Sequence, residues 1–158
     1  MSFSGTAGFI GAGKMGGILA EAAISAKLLP SRRIVIHDVD TERMANLSET
    51  LGVKTQPSVE KLVECSDVVF LCIKPDQFPA IADAVRSSWG AKKPAFVSIM
   101  AGVKAGRIRE LLAPEAPVIR VMPNVACQIR EGVAGVAIDP SAPGEINEFV
   151  VGLFDTLG

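Results

Sequence analysis

A glycine-rich loop near the N-terminus constrains this chain more than any other segment. It reads Gly11-Ala12-Gly13-Lys14-Met15-Gly16 and stands between a short apolar run, residues 7–10, and a helical pattern that starts at Lys14. In a G-x-G-x-x-G loop the first glycine allows a tight turn, the second lets the backbone approach a pyrophosphate, and the third lets the helix pack on the strand. The pyrophosphate lies on the free N–H groups at the helix N-terminus. The loop therefore predicts a dinucleotide site; a turn that merely needs glycine is the alternative.

Strand-like and helix-like segments alternate along the rest of the chain. Strands are predicted at 7–10, 33–37, 53–55, 67–73, 95–100, 118–122 and 133–138, and helices at 14–26, 41–51, 57–64, 76–89, 104–112 and 144–157. This alternation indicates right-handed βαβ units, and the run 67–73, apolar on both faces, is typical of a central parallel strand. The sequence predicts an α/β fold of the Rossmann type, with a doubly wound, mostly parallel sheet.

The domain organisation follows from the same pattern. Residues 1–140 are expected to form one NAD(P)-binding Rossmann domain, and residues 141–158 an amphipathic helix. The apolar stripe of that helix comprises Ile146, Phe149, Val150, Leu153, Phe154 and Leu157, at steps of three and four. Such a stripe must dock on something, so the helix either packs back on this domain or leads into a further one.

Charge and composition exclude several classes of partner. The 158 residues carry 16 Lys and Arg against 17 Asp and Glu, a net charge of −1, with no basic cluster. This balance argues against nucleic acid and anionic membranes, and no apolar run approaches the 18 or so residues of a membrane span. Cys65, Cys72 and Cys127 form no C-x-x-C motif and have no metal-ligand spacing. Because the N-terminus also lacks the pattern of a signal peptide, we expect a cytoplasmic protein with reduced thiols and no metal.

An acidic residue at the end of the second predicted strand bears on the cofactor. Asp38 comes about 20 residues after the glycine loop, where a carboxylate accepts the ribose hydroxyls of NAD and repels the 2′-phosphate of NADP. Arg43 is near enough in sequence to hold a 2′-phosphate instead. Alternatively, Asp38 only leads into the next helix, with Asp40 or Thr41 as its cap. NAD is mildly favoured, and NADP stays open.

Three later segments carry further motifs. Cys72-Ile73-Lys74-Pro75-Asp76-Gln77 follows the fourth strand, Ser98-Ile99-Met100-Ala101-Gly102-Val103 follows the fifth, and Ile119-Arg120-Val121-Met122-Pro123-Asn124 comes later, followed by Glu131-Gly132-Val133-Ala134. Together with the glycine loop, these segments resemble the N-terminal half of a pyrroline-5-carboxylate reductase. That family commonly shows a K-P pair, an S-I-x-A-G turn and an R-x-M-P-N segment at these places. The resemblance extends from about Ala7 to Gly158.

The resemblance implies a reaction and a set of cofactor contacts. The family reduces 1-pyrroline-5-carboxylate to L-proline, the last step of proline biosynthesis, with NADH or NADPH. By its motifs, the pyrophosphate would lie on Gly11, Ala12, Gly13, Lys14 and Met15. The cofactor cleft would be lined by Ile73, Lys74 and Pro75. The nicotinamide ribose would be flanked by Met100, Ala101 and Gly102, and Asn124 would lie near the nicotinamide. Hydride transfer needs mainly positioning, since the reactivity belongs to the cofactor.

The resemblance also implies that the family's helical C-terminal dimerisation domain is absent from this chain. Catalytic groups are expected there, so the isolated chain should bind cofactor and be inactive or nearly so, and the full-length protein should be a homo-oligomer. Three departures leave the cofactor and the imine open: Val125-Ala126-Cys127 stands for T-P-A, Asp38 for a small polar residue and Val59 for an asparagine. A related imine or β-hydroxy-acid oxidoreductase and a non-catalytic nucleotide-binding module stay as alternatives.

Two side chains with acid–base chemistry are assigned binding or structural roles. His37, the single histidine, ends the second strand on the adenosine side, where a contact with adenine or solvent is expected. Lys74 is expected to touch the ribose or solvent rather than the reacting atoms. The sequence therefore identifies no catalytic residue in this chain.

Overall fold

In the computed structural model, which describes residues 2–158, strands and helices alternate as the sequence predicts. The strands are β1 (Ala7–Ile10), β2 (Ile34–His37), β3 (Lys54–Thr55), β4 (Val68–Leu71), β5 (Ala95–Ser98), β6 (Val118–Pro123) and β7 (Ala134–Ala137). The α-helices are α1 (Lys14–Ser25), α2 (Thr41–Leu51), α3 (Val59–Cys65), α4 (Phe78–Trp89), α5 (Ala105–Leu111) and α6 (Gly144–Asp155). Short 3₁₀ turns occupy Ser31–Arg33, Pro75–Gln77 and Val125–Ile129.

All seven strands join one sheet in the order β3-β2-β1-β4-β5-β6-β7. Neighbours pair in parallel from β3 through to β6, so the prediction of a doubly wound, mostly parallel sheet is confirmed. The chain moves outward in one direction from β1 and in the other from β4. Their boundary is therefore the switch point, outside whose strand ends open α/β sheets bind ligands.

The last strand departs from the parallel pattern. β7 pairs with β6 antiparallel, with Met122 opposite Gly135. The segment between them contains only the turn Val125–Ile129, and a parallel return needs a crossover of about a dozen residues or more. The strand–helix alternation did not predict this reversal.

Helices cover both faces of the sheet. One core cluster joins Phe9 and Phe70 with Leu19 of α1 and Phe149 of α6. The rings of Phe9 and Phe70 stack with centroids 4.6 Å apart, and Phe149 meets Phe70 edge-on at 6.2 Å. The other cluster lies under α3, α4 and α5 and contains Phe96. Alternate residues of each strand serve the two faces, because successive side chains of a strand point in opposite directions.

The C-terminal helix α6 packs on this domain. Its predicted stripe is buried in the first cluster: Ile146, Phe149, Val150, Leu153, Phe154 and Leu157. Beyond the helix, the carbonyl of Leu157 accepts a hydrogen bond from the N–H of Gly132 at 2.9 Å. The stripe therefore packs on this domain.

A buried carboxylate, Asp139, links the start of β6 to α5 and to the turn after β7. Asp139 is 6% exposed, and its Oδ2 accepts from the Val118 N–H at 2.8 Å and from Arg109 Nη2 at 2.5 Å. Its Oδ1 accepts from the N–H and the hydroxyl of Ser141, at 2.8 and 2.7 Å. Burial alone raises the pKa of Asp139, but the four donors outweigh it and lower the pKa from 3.8 to about 2. The charge therefore stabilises the fold.

Replacing Asp139 by asparagine should lower the free energy of unfolding by about 2 kcal/mol at pH 7, the value of a pKa shift of this size. Because the folded pKa is depressed, the contribution is complete above about pH 4 and is lost as the pH falls toward 2. Urea unfolding of the wild type and Asp139→Asn at pH 7 and at pH 2–3 measures the difference, which should narrow in acid.

The exposed Asp83 on α4 provides the matched control. Asp83→Asn should change the free energy of unfolding by less than about 0.5 kcal/mol at either pH, because exposed ion pairs contribute little. A difference between wild type and Asp139→Asn that stays constant from pH 7 to pH 2 would contradict the assigned role of the charge.

Candidate functional site

The glycine loop lies at the switch point of the sheet. The N–H of Gly11 donates to the carbonyl of His37 at the end of β2, and the N–H of Cys72 donates to the carbonyl of Ile10 at the end of β1, both at 2.9 Å. These bonds extend the pairing of β2, β1 and β4 past their last residues. The loop is therefore held on both sides as it leaves the sheet and enters α1.

Each glycine of the loop has the geometry that its place in the motif requires. Gly11 has φ +103°, and a Cβ on it would lie 2.4 Å from the carbonyl oxygen of Cys72. A Cβ on Gly16 would lie 2.1 Å from the carbonyl oxygen of Gly11, so α1 can approach β1 only with glycine there. At Gly13 the nearest atom to such a Cβ is Arg43 Nη1 at 3.7 Å, an ordinary contact. The loop is tight at its two ends and open in its middle.

The start of α1 is suited to an anion. Gly13 is the N-cap residue, no side chain caps the helix, and the first turn holds no acidic residue. The N–H groups of the first turn therefore keep their hydrogen-bonding capacity, and the helix dipole adds partial positive charge there. Lys14 is exposed at the first position of the helix, and Met15 is half-buried. This arrangement can bind a phosphate or pyrophosphate.

The carboxylate of Asp38 is fixed against the loop. Its Oδ2 accepts from the N–H of Ala12 at 2.7 Å, and its Oδ1 accepts from the N–H of Asp40 at 2.8 Å. A carboxylate offers about four acceptor sites, so it can still accept hydroxyl groups from a ribose. Asp40, not Thr41, is the N-cap of α2, since its Oδ1 accepts from the N–H groups of Glu42 and Arg43.

Arg43 brings positive charge to the same end. Its Nε lies 3.5 Å from Asp40 Oδ2, and both side chains are about half exposed. With Ala12, Gly13 and Lys14 it lines a cleft of about 660 Å³ between α1 and α2. The end of the site next to β2 therefore carries two carboxylates and two cations.

The sheet register aligns the remaining predicted segments along one edge. Ile10, Leu71, Ser98 and Arg120 are successive partners across β1, β4, β5 and β6. The segment of Ile73, Lys74 and Pro75 therefore leaves the sheet beside the glycine loop, and the segment of Met100, Ala101 and Gly102 leaves beside that. The structure brings these predicted residues to one edge of the sheet.

The turns after β4 and β5 are fixed by their own hydrogen bonds. The N–H of Lys74 donates to Gln77 Oε1 at 3.1 Å, while the lysine side chain is exposed. The N–H of Met100 donates to the buried Ser98 hydroxyl at 3.2 Å. Met100 is buried, whereas Ala101 and Gly102 are exposed, and Gly102 has φ +74°.

Asn124 extends further from the sheet than the other predicted residues, because β6 continues to Pro123. Its side chain is exposed, and its Oδ1 accepts from the N–H of Val133 at 3.4 Å, which closes the turn into β7. Large apolar side chains around this turn are also exposed: Met122, Val125, Ile129 and Val133. The motif reading did not predict this apolar surface.

Neither His37 nor Cys72 is arranged for catalysis. His37 Nδ1 lies 2.9 Å from the carbonyl oxygen of Gln56, on the β2–β3 side of the site. Burial raises the pKa of the Cys72 thiol to about 12, so it stays protonated beneath the loop.

In the part of the chain that the structure describes, no three His, Cys, Asp or Glu side chains are grouped to hold a metal ion. Within residues 2–158 no helix is long and apolar enough to cross a membrane.

Alanine at Gly16 should lower the free energy of unfolding by about 2–3 kcal/mol, since its Cβ would overlap the Gly11 carbonyl. Alanine at the N-cap Gly13 should cost less than about 1 kcal/mol, because it only weakens the cap. Urea unfolding of both variants tests this order. Gly106 in α5 has open space around it, so Gly106→Ala should leave stability unchanged or raise it. Equal costs at Gly13 and Gly16 would contradict the assigned packing.

The comparisons with known proteins agree with this geometry. The family described as NADP oxidoreductase, coenzyme F420-dependent, matches residues 6–102. A pyrroline-5-carboxylate reductase of Staphylococcus haemolyticus is 33% identical over 147 residues, which are 90% of this chain and 54% of that protein. The chain thus spans about half the length of the curated relatives it matches.

Two solved structures have the same fold. A pyrroline-5-carboxylate reductase of Coxiella burnetii superposes with a TM-score of 0.91 at 21% identity, over 99% of this chain and 57% of that one. A pyrroline carboxylate reductase of Plasmodium falciparum with NADP bound superposes with a TM-score of 0.82 at 20% identity, over 100% of this chain and 57% of that one. The likeness in fold extends over nearly the whole chain.

Proposed function

Because the chain belongs to the family described as NADP oxidoreductase, coenzyme F420-dependent, we propose that it is the cofactor-binding half of a pyrroline-5-carboxylate reductase. The sequence relatives support this choice, since those at 30–34% identity carry that name. The whole protein would reduce 1-pyrroline-5-carboxylate to L-proline with NADH or NADPH. It would be a cytoplasmic homo-oligomer and contribute to proline biosynthesis.

The uncapped start of α1 beside the fixed carboxylate of Asp38 is the observation that carries the proposal. The loop N–H groups would hold the pyrophosphate. There is space for it beside Gly13, where a Cβ would meet only Arg43 Nη1, at 3.7 Å. Asp38 would accept the hydroxyl groups of the adenosine ribose, since it stands within 2.7 Å of the loop backbone. The rest of the dinucleotide would lie along the edge formed by the ends of β4, β5 and β6.

When bound, the reduced nicotinamide would supply a hydride to the carbon of a C=N bond whose nitrogen is already protonated, which yields the amine. The residues of this chain bind and orient. Met100, Ala101 and Gly102 would flank the nicotinamide ribose, with Ile73, Lys74 and Pro75 on the side toward the glycine loop and Asn124 near the ring. None of these residues needs to exchange a proton for the hydride to move.

Asp38 should set the preference between the two cofactors. We expect Asp38→Ser to weaken NADH binding by roughly 10-fold or more, since a lost hydrogen bond to a charged group is worth roughly 1.5–3 kcal/mol. NADPH binding should change less, because the repulsion of its 2′-phosphate is also removed. Nicotinamide fluorescence titrations of the 158-residue chain measure both affinities.

Asp38→Asn separates the structural role of this side chain, which is to accept from the Ala12 N–H, from the effect of its charge on cofactor preference. Asparagine keeps an oxygen for the Ala12 N–H but removes the charge, so it should shift the ratio of NADH to NADPH affinity while preserving the loop. A ratio that stays the same in both variants would show that Asp38 does not face the ribose.

The reaction is tested on the intact polypeptide. We expect it to oxidise NADH or NADPH with 1-pyrroline-5-carboxylate faster than with other cyclic imines or with β-hydroxy acids assayed in reverse. The 158-residue chain alone should bind cofactor without measurable turnover. No oxidation with 1-pyrroline-5-carboxylate by the intact protein would refute the proposed substrate, and a monomer in size-exclusion chromatography would refute the oligomer.

A further inference from the structure

Arg120 holds an unusual position at the carboxyl edge of the sheet. It lies on β6 opposite Ser98 of β5, and its Nη2 donates to the carbonyl oxygen of Met100 at 3.3 Å. The same nitrogen is 3.2 Å from the sulfur of Met122. Its Nε is buried and has no hydrogen-bond partner among the described residues. Burying a donor without a partner lowers the stability of the fold, so packing alone does not explain an arginine here.

The backbone of Met100 is held from two sides. Its N–H donates to the Ser98 hydroxyl at 3.2 Å, and its carbonyl accepts from Arg120. Ser98 is fully buried, so its hydroxyl is a fixed acceptor. Met100 begins the turn that continues through the exposed Ala101 to Gly102, whose φ is +74°. Ser98 and Arg120 together therefore fix where this turn stands relative to the sheet.

We propose that Arg120 is a positioning residue for the nicotinamide half of the cofactor. It acts through the Met100 carbonyl, whose position determines where Ala101 and Gly102 meet the nicotinamide ribose. This inference rests on the proposed function, which assigns the nicotinamide to this part of the edge. A guanidinium suits the task because its hydrogen bonds are charge-assisted and its planar donors have fixed directions.

The effect of Arg120 is separable from the adenosine half of the site. Its hydrogen-bond partners, Met100 and Met122, belong to the segments of β5 and β6. The glycine loop is held instead by His37 and Asp38 on the other side of β1. A ligand that reaches only the glycine loop, such as ADP, should therefore not respond to the loss of Arg120, whereas a complete dinucleotide should.

The test compares NADH and ADP on the 158-residue chain. Arg120→Met should raise the Kd for NADH about 10-fold and leave the Kd for ADP within about 2-fold, measured by nicotinamide fluorescence and by calorimetry. Arg120→Lys keeps a cationic donor for the Met100 carbonyl and should recover part of the NADH affinity. Arg107→Met is the matched control, because Arg107 is an exposed arginine on α5 paired with Glu110; it should change neither constant.

Each other outcome has a defined meaning. Unchanged NADH affinity in Arg120→Met, or equal losses for NADH and ADP, overturns the positioning role. If circular dichroism shows that Arg120→Met is unfolded, Ser98→Ala is the test, since it removes the other hydrogen bond that holds the Met100 backbone. Ser98→Ala should also weaken the binding of NADH and leave that of ADP unchanged. If NADH and ADP binding respond equally, the inference is overturned. A wild-type chain that binds neither ligand refutes the proposed function and this inference with it.

Discussion

The contact between the start of α1 and the end of β1 is the constraint on which the site depends. Without side chains at Gly11 and Gly16, the helix comes so close that a single Cβ at Gly16 would lie 2.1 Å from the Gly11 carbonyl. This approach turns the first N–H groups of α1 toward the space outside the strand ends. It also leaves α1 flat against the sheet, where Leu19 joins the core beneath it. The same packing that stabilises the domain therefore presents the N–H groups to which we assign the pyrophosphate.

The strand order distributes chemistry along the edge of the sheet. Because β1 and β4 are neighbours and the chain moves outward from each, the segment directly after β2 lies on one side of the glycine loop, and the segments directly after β4, β5 and β6 lie on the other. The β2 side holds Asp38, Asp40 and Arg43, which suit a polar ribose and its substituents. The β6 side exposes Met122 and Val125. A dinucleotide laid across this edge would meet polar groups at one end and apolar groups at the other.

Local spacing predicted the parts of this structure that local physics determines. The glycine loop and Asp38 lie where the sequence placed them, and the strands do so to within one or two residues at their ends. Tight turns, apolar runs and strand ends each leave a short-range signature. The stripe of α6 was also predictable, although its docking surface was not. The N-cap of α2 needed the structure to choose between Asp40 and Thr41, since both residue types are good caps and they are adjacent.

The features that sequence reasoning missed depend on residues far apart in the chain. In the sequence, Asp139 is one of several aspartates that follow a strand. Its role is visible only in the structure, where Arg109 and Val118 donate hydrogen bonds to it. β7 reads as one more strand, and only the short connection to β6 determines that it runs antiparallel. Arg120 belongs to a motif that the sequence showed, but its unpartnered Nε becomes visible only when β5 and β6 are side by side. Such contacts leave no periodic pattern to detect.

The residues on this edge are suited to set geometry rather than to move protons. Cys72, whose pKa burial raises to about 12, stays protonated beside the glycine loop. This thiol therefore does not exchange a proton with a substrate near neutral pH. The contacts proposed here fall on the pyrophosphate and the riboses, which do not react, so their binding energy can be used to orient the nicotinamide. An arginine that fixes one backbone carbonyl is consistent with that division, because an orientation error of about 1 Å costs a reaction far more than the loss of one surface contact.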